Sequence, residues 1–118
     1  MERQEHIVPL PTVTDEELLE VQLREPTAFR LRYTSAGGRN DLGDVVLRKP
    51  TRMEVRRFKD AAKAGKDTNW IVDACLLLPE KKTWAAVTNQ ELSGLPETVE
   101  DDLLKASGVL AENDLGKS

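Results

Sequence analysis

Asp67-Thr-Asn-Trp70-Ile-Val-Asp-Ala-Cys75-Leu-Leu-Leu-Pro79 is the stretch that decides the fold. Ile71, Ala74, Cys75 and Leu78 recur at i, i+3, i+4 and i+7, the stripe of an amphipathic helix. Its start is expected at Asp67 or Thr68. Pro79 ends that helix or opens the following one, because proline cannot continue a helix but fits its first turn. Downstream, a helix is expected over about 81–92, burying Trp84 and Val87. Ser93-Gly94-Leu95-Pro96 is a stop and a restart within four residues. Glu97 to Ala106 then reads as a closing helix with Val99, Leu103 and Ala106 inward, stopped by Gly108. Its acids crowd the first turns, which suits the positive end of the helix dipole.

Upstream, Thr51-Arg-Met-Glu54 has the form of a capping box, so a helix is expected from there to about Ala64, with Gly65 as its stop. Val55, Phe58, Ala61 and Ala62 share one of its faces. Phe29-Arg-Leu-Arg-Tyr33 alternates apolar and basic residues, a half-buried strand pattern. Asp44-Val-Val-Leu-Arg48 is its partner, across the turn-rich Ala36–Gly43. A hairpin alone is marginal in water and must pack on helices or pair with another strand. Thr14-Asp-Glu-Glu17 is a second capping box. A helix to about Glu25 follows, or else a strand over Leu19–Leu23, where Leu19, Val21 and Leu23 alternate. The expectation is an α+β protein: an N-terminal β-hairpin over about 28–48 and a mainly α-helical second half of about four short helices. One domain would span 14–110, with a loose arm at 1–13 and a frayed tail at 111–118.

The bulk numbers fit one modest core in 118 residues. Aromatic residues are 4% of the chain, so leucine, valine and alanine must supply most of that core. One cysteine, Cys75, excludes an intramolecular disulfide. Met1-Glu-Arg-Gln-Glu offers no apolar signal core, and no apolar run is long enough to span a membrane, so neither is expected.

Catalytic chemistry is thin. His6 is the single histidine and falls in the N-terminal arm. Cys75 lies on an apolar helix face and reads as a small buried hydrophobe. One Cys and one His cannot build a structural zinc site of the usual kind. Glu100-Asp101-Asp102 lacks the alternation and glycine of a calcium loop. Gly37-Gly38 leads into a strand and not into a phosphate-binding helix. No enzyme activity, metal or cofactor is therefore expected.

One constellation has shape. Between Arg48 and Lys66 stand eight Lys/Arg against two acids, in a chain of net charge -4. Arg52, Arg56, Lys59 and Lys63 fall along one helix face. They suit phosphate contact, an acidic partner surface, or plain solvation. Together with Glu97, Glu100 and Asp101 they suggest head-to-tail self-association into a ring or spiral. The negative net charge weighs against nucleic acid, and a small nucleic-acid-binding regulator using helix 52–64 is the alternative. Trp70, Leu76, Leu77 and Trp84 are candidates for apolar partner surface, with core packing the stronger reading for both tryptophans.

Pro50-Thr51-Arg-Met-Glu54, Trp70 to Pro79, Leu95-Pro96 and Ser107-Gly108 occur in an order that resembles the tail assembly chaperones of long-tailed bacteriophages. The resemblance covers about residues 45–110. It implies a non-catalytic protein of the host cytoplasm, absent from the mature virion. It implies binding to the tape-measure protein, a long apolar helical chain, while tail tube subunits assemble around it. The major tail protein is a further implied partner. Many such chaperones also have a longer, frameshifted form, and this chain resembles the short one.

Overall fold

The computed structural model describes residues 10–34, 41–90 and 94–108. The elements run α1 (Asp15–Arg24), β1 (Phe29–Thr34), β2 (Asp41–Leu47), α2 (Arg52–Lys63), α3 (Trp70–Cys75), β3 (Leu76–Leu78), α4 (Lys81–Gln90) and α5 (Leu95–Ala106). The fold is mixed α+β, with the hairpin near the N-terminus and most helices in the second half. Among the described residues, no helix is long and apolar enough to cross a membrane.

The sheet is antiparallel, in the order β1-β2-β3. Phe29 lies opposite Leu47 and Leu31 opposite Val45, with an irregularity at Tyr33/Thr34. Central β2 is buried on both faces, and Val45, Val46 and Leu47 are wholly enclosed. Val45 and Leu47 join the main core with Ile71, Val72, Cys75, Trp84, Val99 and Leu103. Val46 faces the other way, onto Val13, Val21 and Ala28. Alternation along one strand therefore divides the molecule. α1 covers one face, and α3, α4 and α5 cover the other.

β3 corrects the expected helix to Leu78. The helix ends at Cys75, and Leu76 turns extended at φ -69, ψ 126. Two causes converge. The residue before a proline is biased out of the helical region, which holds Leu78 extended ahead of Pro79. The free edge of buried β2 needs hydrogen-bonding partners. Leu76 and Leu78 pair with Leu47 and Val46, and the Arg48 amide donates to the Cys75 carbonyl at 2.9 Å. The partner strand that the hairpin required is the end of the leucine run.

Both capping boxes form. Glu17 and Glu54 each accept from their own cap residue's amide at 2.8 Å, while Thr14 and Thr51 accept in return. This settles residues 15–24 as helix and removes the strand alternative. Gly65 and Gly108 follow α2 and α5 at φ 71 and 78, the left-handed stop that glycine takes without strain. Ala106, expected inward on α5, is exposed.

Residues 1–9 of the expected arm and the 111–118 tail lie outside the described residues, as does most of the hairpin tip. Leu10 and Val13, counted with the arm, are buried at 1% and 2%. Leu10 explains a glycine: a Cβ on Gly43, at φ +115, would stand 2.5 Å from the Leu10 Cβ and 2.6 Å from its carbonyl oxygen.

Candidate functional site

α2 has no fully buried side chain. Its inner side is half-buried through Val55, Phe58 and Ala61, and Phe58 packs on the main core. Ala62, expected on that side, is exposed. The helix is fixed at its start by charge. Arg48 donates to both carboxylate oxygens of Glu54 at 2.9 Å and also to the Ala74 carbonyl at 2.9 Å. Glu54 is at the same time the acid of the capping box. The Arg48 hydrogen bonds pull its pKa down to about 2, against the smaller opposing effect of burial. The same pairing raises Arg48 further above its ordinary value.

The outer side of α2 carries the expected stripe. Arg52, Arg56, Lys59 and Lys63 are all exposed, with Met53 beside them at 64%. Among the described residues, ion pairs are made by Arg30 with Asp15, Arg32 with Asp44 and Arg48 with Glu54, and by none of these four.

Midway along α2 the Arg57 guanidinium sits over the Trp70 ring, 5.0 Å from its centre. An open groove of about 310 Å³ runs there, lined by Arg57, Asp60, Ala61, Ala64, Lys66 and Trp70. The two alanines leave its floor free. Trp70 gives it an apolar wall, and Arg57, Asp60 and Lys66 give it charge.

The four candidates for apolar partner surface separate. Trp84 and Leu76 are 4% and 6% exposed and belong to the main core. For Trp84 this is the stronger of its two sequence readings: a core so poor in aromatics uses its second tryptophan for itself. Trp70 and Leu77 are half-buried. On α5, Glu97 and Asp101 are exposed. Glu100 is not available in the same way. It accepts from the Thr68 hydroxyl at 2.8 Å and the Asn69 amide at 3.2 Å, joining α5 to the start of α3.

Two polar features escape a reading of the sequence. Asp44, 1% exposed in the central strand, accepts from the Val13 amide at 2.8 Å and from Arg32 at 2.9 and 3.2 Å. Burial pushes its pKa up, but these donors more than offset that and hold it below the usual carboxylate range. Tyr33 donates to Asp102 at 2.9 Å, and burial together with that carboxylate raises its pKa well above the ordinary phenol value. On α1, Leu19 and Leu23 are 61% and 84% exposed, while Val21 is the residue that turns inward. Only the basic alternation Arg30/Arg32 opposite an acid in β2 could have signalled the first of these.

Cys75 is buried, as expected, and burial pushes its thiol pKa up to about 11. Among the described residues, no three His, Cys, Asp or Glu side chains gather as metal ligands would. No family model, curated protein or solved structure matches this chain.

Proposed function

We propose that this chain is a non-catalytic tail assembly chaperone of the long-tailed phage kind, which holds the tape-measure protein during tail tube assembly. It would act in the host cytoplasm, alongside the major tail protein, and leave before the virion is complete. The observation that carries the reading is the groove at the α2–α3 junction, with Trp70 as its apolar wall. A holder of a long apolar helix needs an open surface that takes apolar side chains in many registers, and small residues flanked by one aromatic and a few charges supply that. The resemblance over 45–110 supports the same reading through the Thr51–Glu54 cap, the Leu95-Pro96 restart and the Gly108 stop.

Repetition is the second requirement, because one domain covers only a short part of a long helix. The exposed basic side of α2 and the exposed acids elsewhere on the protomer suit copies that join head to tail.

The test is co-expression of the chain with an apolar helical segment of a tape-measure protein. A soluble complex that is lost in Trp70→Ala is expected. A segment that stays insoluble and uncaptured overturns the reading.

The exposed stripe Arg52–Lys63 favours one alternative, a nucleic-acid-binding regulator. Its signature is binding to random duplex DNA that falls steeply with salt, about one logarithmic unit per phosphate contact for each tenfold rise in salt. The chaperone reading expects no such binding.

A further inference from the structure

We infer that the outer face of α1 is a docking surface for the outer face of α2 on a second copy of this chain. The inference deepens the self-association in the proposed function and rests on that reading for why copies join. The surfaces themselves are assigned by side chains.

Leu19, Leu23 and Met53 are the large apolar side chains that stand exposed among the described residues. Two are on α1 and one is on α2. On α1, Glu16, Leu19 and Leu23 fall opposite buried Val21 at 100° per residue, with Glu20 on their flank, and all four are exposed. On α2, Met53 neighbours Arg56 one turn on, with Arg52 beside it, and all three are exposed. One face is therefore leucine ringed by acid. The other is methionine ringed by base. Among the described residues neither is covered, and Glu16, Glu20, Arg52 and Arg56 make no ion pair. An apolar centre with a complementary charged rim is the composition of a specific protein contact.

The two faces cannot satisfy each other within one chain. α1 packs through Leu18 and Val21 on the Val46 side of the sheet, whereas α2 packs through Phe58 on the Val45 and Leu47 side. A contact between unlike faces on opposite sides of a protomer is heterologous, so it propagates into a filament or closes into a ring. The acids of α5 fit less well: among the described residues Glu97 and Asp101 have no exposed large apolar neighbour, and Glu100 is already held by Thr68 and Asn69.

Sedimentation velocity over a concentration series at low salt tests the assignment. The unaltered chain is expected to associate, and salt should weaken the association. Glu16→Lys/Glu20→Lys and Arg52→Glu/Arg56→Glu should each weaken it by about tenfold or more, since like charges then face one another across the contact. An equimolar mixture of the two variants should regain association, because reversed α1 then meets reversed α2. Leu19→Ser/Leu23→Ser should weaken association while its dependence on salt remains. All of these positions are exposed, and unchanged circular dichroism checks the fold. A chain that stays monomeric throughout overturns the inference. So do reversed variants that associate like the unaltered chain, or a mixture that gains nothing. Capture of a tape-measure segment is read separately, so the loss of either result does not decide the other.

Discussion

Arg48 and Glu54 meet through two parallel hydrogen bonds of 2.9 Å, and the pair joins three elements at once. Arg48 follows the central strand and also holds the Ala74 carbonyl in α3, while Glu54 caps α2. A fork-on-carboxylate pair is among the stronger polar contacts, and this one is only about a fifth exposed on either side. It fixes where α2 begins, and hence where the basic stripe and the Trp70 groove stand.

Removing the acid removes the clamp and the cap together. Glu54→Ala is expected to destabilise the fold by about 2–4 kcal/mol, read as a shift in urea midpoint without a change in slope. Arg48→Met should cost a similar amount, and the double variant less than the two losses added, because both singles break the same pair.

Acid should act through the same carboxylate. Glu54 has an ordinary pKa of 4.5 and is held at about 2 in the folded chain. A depressed folded value means that its stabilisation is complete above the ordinary value and is lost as pH falls through the folded one. Asp44 is lowered too and adds in the same direction. Unfolding free energy should therefore fall from about pH 4.5 down to about pH 2, and Glu54→Gln should flatten that fall. An equally steep acid limb in Glu54→Gln would show that other carboxylates dominate.

Gly43 is required twice over, by its backbone angle and by Leu10. Gly43→Ala should cost about 2–4 kcal/mol, combining left-handed strain with displacement of the Leu10 backbone. Because Leu10 sits against the hairpin, the variant should also expose the segment before α1 to proteolysis earlier than the rest of the chain.

Much of this architecture can be read from local chemistry. The capping boxes at Thr14 and Thr51 and the glycine stops at Gly65 and Gly108 are short-range devices that depend on neighbours within four residues. They fall where the sequence puts them. The leucine run shows the limit. Leu76–Leu78 satisfies a helical stripe as well as a strand, and the choice between them is made by the unpaired edge of β2, some thirty residues upstream. The candidate surface divides in the same way. The outward stripe Arg52–Lys63 follows from helical periodicity alone. Whether Trp84, Leu76 or Leu19 faces the core depends on which side of the sheet each helix covers, and no local pattern carries that. Asp44 is the extreme case: its burial makes sense only once Arg32 and the Val13 amide converge on it.

The lone thiol offers a direct reading of how the main core opens. Cys75 is fully enclosed, between α3 and the strand that completes the sheet, and its pKa of about 11 leaves little thiolate at neutral pH. Both effects slow reaction with a disulfide reagent in the folded chain, and both vanish on unfolding. Labelling should therefore be slower than for a free thiol by a factor close to the folded-to-unfolded ratio, when reclosing outpaces reaction. Glu54→Ala should accelerate it in proportion to its loss of stability, about thirtyfold for 2 kcal/mol, because the Arg48–Glu54 clamp holds the end of α3 against the sheet. Labelling of the unaltered chain at the rate of a free thiol would mean that the contact between β2 and β3 opens without global unfolding. In that case the pairing of Leu76 and Leu78 with the central strand would be a local and separable part of the fold.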